Sequence, residues 1–204
     1  MVACKPASGK RTERLRSARP STNPRSRLGR VVVFEIVGGT VEVVSAVRHK
    51  PEDDCHAASN DVRGAVQFLK VRGIGSGKVG VTGYCMGGAL TVLALTVMPE
   101  VDAGVVWYGL PPLEYVDASK IGARPVQAHS ALQDQAFSID DVDALEARLL
   151  EAKVRYEGHR YLAQHGFANE TAFGSRRLPI TQYDPVWAQQ AWDRTMRFFG
   201  QHLT

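Results

Sequence analysis

Apolar residues along the chain follow two kinds of spacing, short β-branched runs and longer segments with helical periodicity. The runs predict strands over residues 31–34, 41–47, 78–82, 103–107, 124–129 and 154–161. Apolar positions three or four residues apart predict helices over residues 57–71, 89–98, 139–153 and 184–202. Because strands alternate with helices, we predict an α/β fold, a mostly parallel sheet covered by helices on both faces.

Positive charge is concentrated at the start of the chain. Residues 1–30 hold nine lysines or arginines and one acid, so the remainder of this 204-residue chain carries −4 against a total of +4. We predict a basic, disordered arm over residues 1–29 and one folded domain over residues 30–204. An arm of this composition also suits a transit peptide or a nucleic-acid contact. It contains no aromatic residue to stack on bases, so nucleic acid is not the expected partner.

The composition is that of a globular protein and argues against other classes. Hydrophobic residues make up 44% of the chain, which excludes a wholly disordered protein. No apolar run approaches the roughly 18 residues of a membrane span, so no membrane partner is expected. Three cysteines form no disulfide framework, which favours a reducing compartment and predicts a cytoplasmic protein.

One local pattern carries candidate chemistry, the segment KVGVTGYCMGGAL at residues 78–90. A strand ends, Cys85 stands two residues from Gly83 and from Gly87, and an apolar helix begins. This is the nucleophile-elbow arrangement G-x-S-x-G with cysteine in place of serine. The positive end of the helix favours a thiolate, and the Met86 N–H is free to donate to an oxyanion. The alternative is that Cys85 is a small buried apolar residue in a glycine-rich turn.

Two further residues have the chain positions that such a nucleophile requires of its partners. Asp134 follows the strand predicted over 124–129, and His165 follows the strand predicted over 154–161. The order Cys85, Asp134, His165 is that of nucleophile, acid and histidine in folds with this elbow. Because active sites of open α/β sheets gather at the carboxyl ends of the strands, we expect the three side chains to meet there.

Other titratable residues fit these roles less well. His129 ends a strand but precedes Asp134 in the chain. Asp140 and Asp141 compete with Asp134 as the acid, yet their position favours the start of a helix. The histidines and the cysteine within residues 49–56 match no common zinc spacing, so no metal is expected.

At these residues the chain resembles the dienelactone hydrolase family within the α/β-hydrolases. The segments that carry the resemblance are GYCMGG at 83–88, DQAF at 134–137, HGFAN at 165–169 and AWDRTMRFF at 191–199. The resemblance covers roughly residues 61–203 and implies an α/β-hydrolase fold without a metal or organic cofactor. It also implies a fold shortened near the N-terminus, because only residues 36–60 separate Glu35 from Asp61.

The resemblance implies a role for each member of the proposed triad. It implies that Cys85 is the nucleophile, that His165 acts as general base and then acid, and that Asp134 orients His165. The expected reaction is attack on an ester or lactone carbonyl, followed by hydrolysis of a thioester. The alternative is a protein of the same fold that binds a ligand, or is vestigial, without catalysing a reaction.

A weaker match lies in VVVFEI at residues 31–36, which resembles the first core strand of the family. It implies that Glu35 holds the resting thiol until substrate displaces it. It also implies that the backbone N–H groups of Ile36 and Met86 form the oxyanion hole.

Six residues near the ends of the predicted strands are expected to line a substrate pocket: Tyr84, Trp107, Tyr108, Phe137, Phe167 and Asn169. For Trp107, core packing explains the position equally well, and Tyr84 either faces the site or packs under the loop. In the family an arginine follows the catalytic histidine by four residues, and arginine is the natural bidentate partner of a carboxylate, which Asn169 is not. We therefore expect a small-molecule ester or lactone as substrate, without dienelactone specificity. Separately, we expect the protein to be a monomer or a homodimer.

Overall fold

Six strands form one mixed sheet covered by four α-helices in the part of the chain that the computed structural model describes. The described residues are 29–37, 40–49, 55–72, 76–175 and 177–204, with side chains from residue 59 onward. The strands are β1 (Gly29–Val37), β2 (Thr40–His49), β3 (Gly80–Tyr84), β4 (Ala103–Trp107), β5 (Val126–Ala131) and β6 (Tyr156–Tyr161). The helices are α1 (Cys55–Arg72), α2 (Met86–Val97), α3 (Ile139–Glu151) and α4 (Pro185–His202). Each predicted strand and helix is confirmed, and the predicted arm lies outside the described residues except for residue 29.

The sheet combines a parallel part and an antiparallel part in the order β2-β1-β3-β4-β5-β6. Strands β3, β4, β5 and β6 run parallel, so their carboxyl ends meet at one edge. Strands β1 and β2 pair antiparallel, and β1 is also antiparallel to β3, with Arg30 opposite Tyr84 and Phe34 opposite Gly80. The mostly parallel sheet expected from the sequence is therefore confirmed, while β1 enters it in the reverse direction.

Helices on the two faces of the sheet enclose two apolar cores. Helices α1, α2 and α3 cover one face, where Leu95 and Leu149 are buried together with Val106 of β4. Helix α4 covers the other face, where Phe199 is buried together with Trp107. Because side chains alternate across a strand, neighbouring residues of β4 contribute to opposite cores. Burial on both faces explains the continuous apolar run that predicted this strand.

Helix α2 is apolar around its circumference because it is buried on nearly all sides. Its buried residues are Gly87, Gly88, Leu90, Thr91, Val92, Ala94, Leu95 and Thr96. The hydroxyls of Thr91 and Thr96 donate to the carbonyl oxygens of Gly87 and Val92, so burial leaves neither hydroxyl unbonded. Among the described helices, none combines the length and the apolar character that a bilayer crossing requires.

Side-chain caps fix where α3 and α4 begin. The Ser138 hydroxyl oxygen accepts a hydrogen bond from the Asp141 N–H at 3.1 Å, and the Asp141 carboxylate accepts from the Ser138 hydroxyl at 2.6 Å. The Asp184 carboxylate accepts from the N–H groups of Val186 and Trp187, each at 3.0 Å. Such caps satisfy N–H groups that have no partner within the helix. The interpretation of Asp141 as a helix-start residue is confirmed.

A polar network is buried between the sheet and α4, with His129 at its centre. The two ring nitrogens of His129 lie 2.9 Å from the Tyr161 hydroxyl and 2.9 Å from the Thr195 hydroxyl. Burial holds the pKa of His129 well below its usual value, and the nearby charges of His159 and Arg194 lower it further. The native protein therefore keeps this imidazole neutral. At low pH the His129 imidazole must be protonated in a site that gives it no carboxylate partner.

We expect His129→Asn to reduce the acid sensitivity of the fold. With the folded pKa below the unfolded value of about 6.5, native His129 binds fewer protons than the unfolded chain, so wild-type stability falls as pH drops below that value. The variant loses hydrogen bonds, which costs about 1–3 kcal/mol at pH 7.5. It should nevertheless lose less of its unfolding free energy than wild type between pH 7.5 and pH 5, measured by urea denaturation.

Thr195→Val is the matched control, because it removes a hydrogen-bond partner of His129 and leaves the imidazole in place. It should be destabilised at pH 7.5 and keep the wild-type acid slope. An unchanged slope in His129→Asn would show that the buried imidazole does not set the acid response.

Candidate active site

Cys85 alone connects the end of β3 to the start of α2, and its backbone is strained. Its φ of 57° and ψ of −120° lie in a region that L-residues rarely adopt. Hydrogen bonds hold this conformation: the Cys85 N–H donates to the Trp107 carbonyl at 2.9 Å. The Cys85 carbonyl accepts from the N–H groups of Gly88 and Ala89 at 2.9 and 3.2 Å. The predicted elbow is therefore present, and it places the half-buried Cys85 at the carboxyl edge of the sheet.

Two glycines make room for this turn. A Cβ atom on Gly83 would lie 2.0 Å from the carbonyl oxygen of Gly87, and a Cβ atom on Gly109 would lie 2.0 Å from that of Cys85. Neither contact can be relieved by a side-chain rotation, because each involves backbone. The sequence pattern points to Gly83 and not to Gly109. Its role depends on the close approach of β4 to the elbow, which no local pattern reveals.

Asp134 and His165 form a buried pair at the ends of β5 and β6. His165 Nδ1 and Asp134 Oδ2 are 2.8 Å apart, and the two side chains are only 6% and 4% exposed. Asp134 Oδ1 accepts from the N–H groups of Ala136 and Phe137 at 2.7 and 3.1 Å. Both carboxylate oxygens thus have partners, which fixes the carboxylate and with it the plane of the imidazole.

The side chain of Cys85 lies close enough to His165 to raise the pKa of its imidazole, so the structure brings the three predicted residues together. Burial lowers the pKa of His165, but hydrogen bonds to Asp134 and Cys85 and the charges of both outweigh it, so the pKa rises to about 9. The imidazole therefore carries a proton at neutral pH. An imidazolium beside a sulfur atom can stabilise a thiolate and can pass its proton to a leaving group.

Three aromatic rings surround this group. The edge of the Tyr108 ring lies against His165 with centroids 5.2 Å apart, and the Phe137 and His165 centroids are 5.8 Å apart. The Tyr84 ring lies 6.1 Å from that of Tyr108. Tyr108 has a positive φ of 35° at the end of β4, beside the strained Cys85. Burial first, and then the charges of Tyr84 and Cys85, raise the pKa of Tyr108 well above its usual value, so its hydroxyl stays neutral.

Two residues expected in the pocket belong to the core instead. Trp107 is 1% exposed, and its indole N–H donates to the Thr82 hydroxyl at 3.1 Å beneath the sheet edge. Phe167 is 0% exposed and packs against Tyr161, with ring centroids 5.1 Å apart. Trp107 is the last residue of β4 and Phe167 lies in the loop after β6, and both rings pack in the core beneath α4. The expectation that their rings line a pocket is wrong.

Asn169 is exposed and holds its own loop. Its side-chain oxygen accepts from the Thr171 N–H at 3.1 Å and from the Thr171 hydroxyl at 2.8 Å. The Asn169 N–H donates to the Gly166 carbonyl at 2.8 Å, which tightens the turn after His165. The side chain of Asn169 thus shapes the loop that carries the histidine, and its place in a substrate pocket stays a prediction.

The N-terminal end of α2 lies directly after the nucleophile candidate. Met86 is the first residue of α2, and N–H groups in a first helical turn have no acceptor within the helix. The helix dipole adds partial positive charge at this end. The backbone after Cys85 can therefore donate to a negatively charged oxygen.

The direction of β1 removes Glu35 and Ile36 from this site. Phe34 lies opposite Gly80 at the first residue of β3, and Glu35 and Ile36 extend further from the elbow. At about 3.3 Å per residue, Ile36 lies about 20 Å along the sheet from Cys85. The expectation that Glu35 holds the thiol and Ile36 donates to the oxyanion is wrong, because it assumed a strand parallel to β3.

The other titratable residues considered from the sequence do not join the site. His129 lies within the network under α4, bonded to Tyr161 and Thr195. Asp141 caps α3. Across the side chains that the structure describes, no group of three or more metal-ligating residues is assembled.

Comparison with known proteins gives a consistent picture. The sequence profile of the dienelactone hydrolase family matches residues 29–203. The chain is similar to the protein usf of Aquifex pyrophilus, with 35% identity over 149 residues that cover 70% of this chain and 59% of that protein. It is 26% identical over 119 residues to carboxymethylenebutenolidase 1 of Cupriavidus pinatubonensis, covering 58% of this chain and 50% of that protein. The chain thus spans between half and three fifths of the length of these relatives.

A solved structure extends the comparison to the fold. The dienelactone hydrolase-like promiscuous phosphotriesterase P91 from metagenomic libraries superposes with a TM-score of 0.64. The match covers 73% of this chain and 63% of that one, at 21% sequence identity. At this identity the similarity shows a shared α/β fold.

We expect Asp134→Asn to lower the pKa of His165 below its value of about 9, because the carboxylate then no longer offsets burial. The measurement is the NMR titration of the His165 ring, assigned with a His165→Ala sample. Wild-type His165 contributes stability that is fully present below about pH 6.5 and lost as pH rises through about 9. The variant should therefore be less stable than wild type at pH 6, with a smaller difference at pH 10.

Asp141→Asn is the control, since it changes a carboxylate that caps α3 and should leave the His165 midpoint unchanged. A midpoint that stays near 9 in Asp134→Asn would contradict the account of this pair.

Proposed function

The chain belongs to the dienelactone hydrolase family, and we propose that it is a cysteine-dependent hydrolase of a small ester or lactone. One observation carries this proposal. Asp134 is hydrogen-bonded to His165, and Cys85 lies beside His165, at the carboxyl edge of the parallel strands. A nucleophile, a proton carrier and an orienting acid in this order are the parts that acyl transfer to a thiol requires.

In the proposed first half-reaction, the Cys85 Sγ attacks the carbonyl carbon and forms a C–S bond. The electron pair of the carbonyl π bond moves to the oxygen, where the Met86 N–H and the positive end of α2 stabilise it. When the carbonyl re-forms, the C–O bond to the leaving group breaks. The leaving oxygen takes the proton of the His165 imidazolium, and an acyl thioester remains on Cys85.

In the second half-reaction, His165 acts in the opposite direction. The neutral imidazole takes a proton from a water molecule as that water attacks the thioester carbon. The tetrahedral intermediate collapses, the C–S bond breaks, and the Cys85 thiolate and the imidazolium are restored. Asp134 holds the ring in place through both steps and stabilises its positive charge. A thiolate nucleophile must stay reduced, so this proposal also locates the protein in a reducing compartment, the cytoplasm.

A non-catalytic binding protein of the same fold is the second candidate function. The observation that favours it is the direction of β1, which leaves Ile36 about 20 Å from Cys85 along the sheet. An acyl transferase with fewer oxyanion donors loses about 100- to 1,000-fold in rate for each donor removed. The two candidates differ in whether a bound ester is turned over.

We expect Cys85→Ala to abolish hydrolysis of 4-nitrophenyl acetate without unfolding the protein, because the variant lacks the thiol that forms the proposed thioester. Cys85→Ser should lose at least about 100-fold in kcat/KM, since a hydroxyl is a poorer nucleophile in a site arranged for a thiolate. His165→Ala should lose about 100- to 10,000-fold while Cys85 still reacts with iodoacetamide.

Cys55→Ala is the matched control for loss of a thiol and should keep wild-type turnover. Undiminished hydrolysis by Cys85→Ala would exclude the proposed nucleophile. A folded wild-type protein that binds the ester and never releases 4-nitrophenol would favour the binding protein.

A further inference from the structure

An apolar crevice opens beside the His165–Asp134 pair and runs under the carboxyl ends of β4 and β5. Its mouth is formed by Tyr108 and Gly109 after β4 and by Asp134 and Phe137 after β5. The rings of Tyr108 and Phe137 also contact His165. Gly109 lies against the backbone carbonyl of Cys85. A substituent of a carbonyl group held at Cys85 is therefore within reach of this opening.

The interior of the crevice is apolar and narrow. Its walls come from Val92 of α2, Val126 of β5 and Leu145 and Leu149 of α3. The closed part has a volume of about 20 Å³. That is little more than the space a single water molecule needs. Apart from Ser130, Tyr156 and the residues of the mouth, the side chains of the lining are apolar. A methyl or ethyl group matches both the size and the chemistry of this space.

The lining offers no cationic partner to an anionic substituent. Asp134 is the one charged residue of the lining, and both of its oxygens are engaged, by His165 on one side and by Ala136 and Phe137 on the other. The lining contains no lysine or arginine. A carboxylate entering here would lose its hydration without a lysine or arginine of the lining to pair with it.

The residue four positions after His165 does not supply the missing cation. Asn169 is neutral, exposed and bonded within its own turn. Arg177, further along the same loop, donates to the backbone carbonyls of Leu178, Pro179 and Thr181, which hold it to the chain.

We infer that this crevice receives the acyl substituent of the substrate, and that the substrate is a neutral ester with a short apolar acyl group rather than an anionic lactone. The inference rests on the proposed hydrolase function and names its substrate class. Leu145, at the inner wall, limits the length of the acyl chain, and a lining without lysine or arginine disfavours carboxylates.

The test compares two series of 4-nitrophenyl esters on the wild type and on Leu145→Ala. In the length series, wild-type kcat/KM should fall at least about tenfold from propionate to hexanoate, and Leu145→Ala should recover about tenfold on hexanoate. In the charge pair, wild type should prefer butyrate over the hemisuccinate, in which a carboxylate replaces the terminal methyl, by roughly 100-fold. Leu145→Ala should improve butyrate and leave the hemisuccinate unimproved, because space is gained and charge is unchanged.

Leu95→Ala is the matched control, since Leu95 is buried in the same core on α2 and does not line the crevice. It should keep the wild-type length profile. If Leu145→Ala does not fold, Val142→Ala takes its place in the test. Val142 is a half-buried residue of the lining, and its truncation widens the crevice less. Its hexanoate-to-propionate ratio should rise in the same direction.

The outcomes separate this inference from the function on which it rests. Turnover that depends on Cys85, with the hemisuccinate preferred or with a length profile unchanged in both crevice variants, would overturn the substrate class and leave the hydrolase intact. Absence of any turnover that depends on Cys85 would overturn the hydrolase, and the inference with it.

Discussion

The backbone turn at Cys85 is the constraint on which the rest of the site depends. A non-glycine residue keeps a positive φ here because its N–H is held by Trp107 and its carbonyl by Gly88 and Ala89. Gly109, at the end of the neighbouring strand, approaches so closely that any side chain would collide with the Cys85 carbonyl. The position of the sulfur atom is thus set by the pairing of β3 with β4, and the two apolar cores that hold this pairing also hold the nucleophile.

Two buried histidines in this protein have opposite affinities for a proton, and a carboxylate accounts for the difference. Burial lowers the pKa of both imidazoles, but Asp134 and Cys85 reverse the effect at His165. His129 has only hydroxyl partners, so its pKa stays low. The fold therefore keeps His165 protonated at the site and His129 neutral beneath α4. Acid destabilisation and alkaline loss of the imidazolium arise in separate parts of the molecule, which allows chemistry and stability to be measured independently.

Local patterns predicted the elements and the triad candidates, while features that depend on strand pairing escaped them. Cys85, its flanking glycines and the chain order of Asp134 and His165 are local signals, and the structure brings these residues together. The direction of β1 is not encoded in an apolar run, so Glu35 and Ile36 were misplaced by the assumption of a parallel strand. The sequence could not distinguish aromatic rings at the site from aromatic rings of the core, for a related reason. Each lies at or after a strand end, and only burial in the folded chain separates them.

Trapping of the covalent intermediate tests the central claim most directly. Wild-type protein is mixed with 4-nitrophenyl acetate, quenched in acid within the first turnover and digested, and the peptides are weighed by mass spectrometry. The account predicts one acetyl group on the peptide that contains Cys85, labile to hydroxylamine as a thioester is, forming and decaying at the rate of turnover. Hydrolysis of the ester with no acetyl group on Cys85 at any time would contradict it.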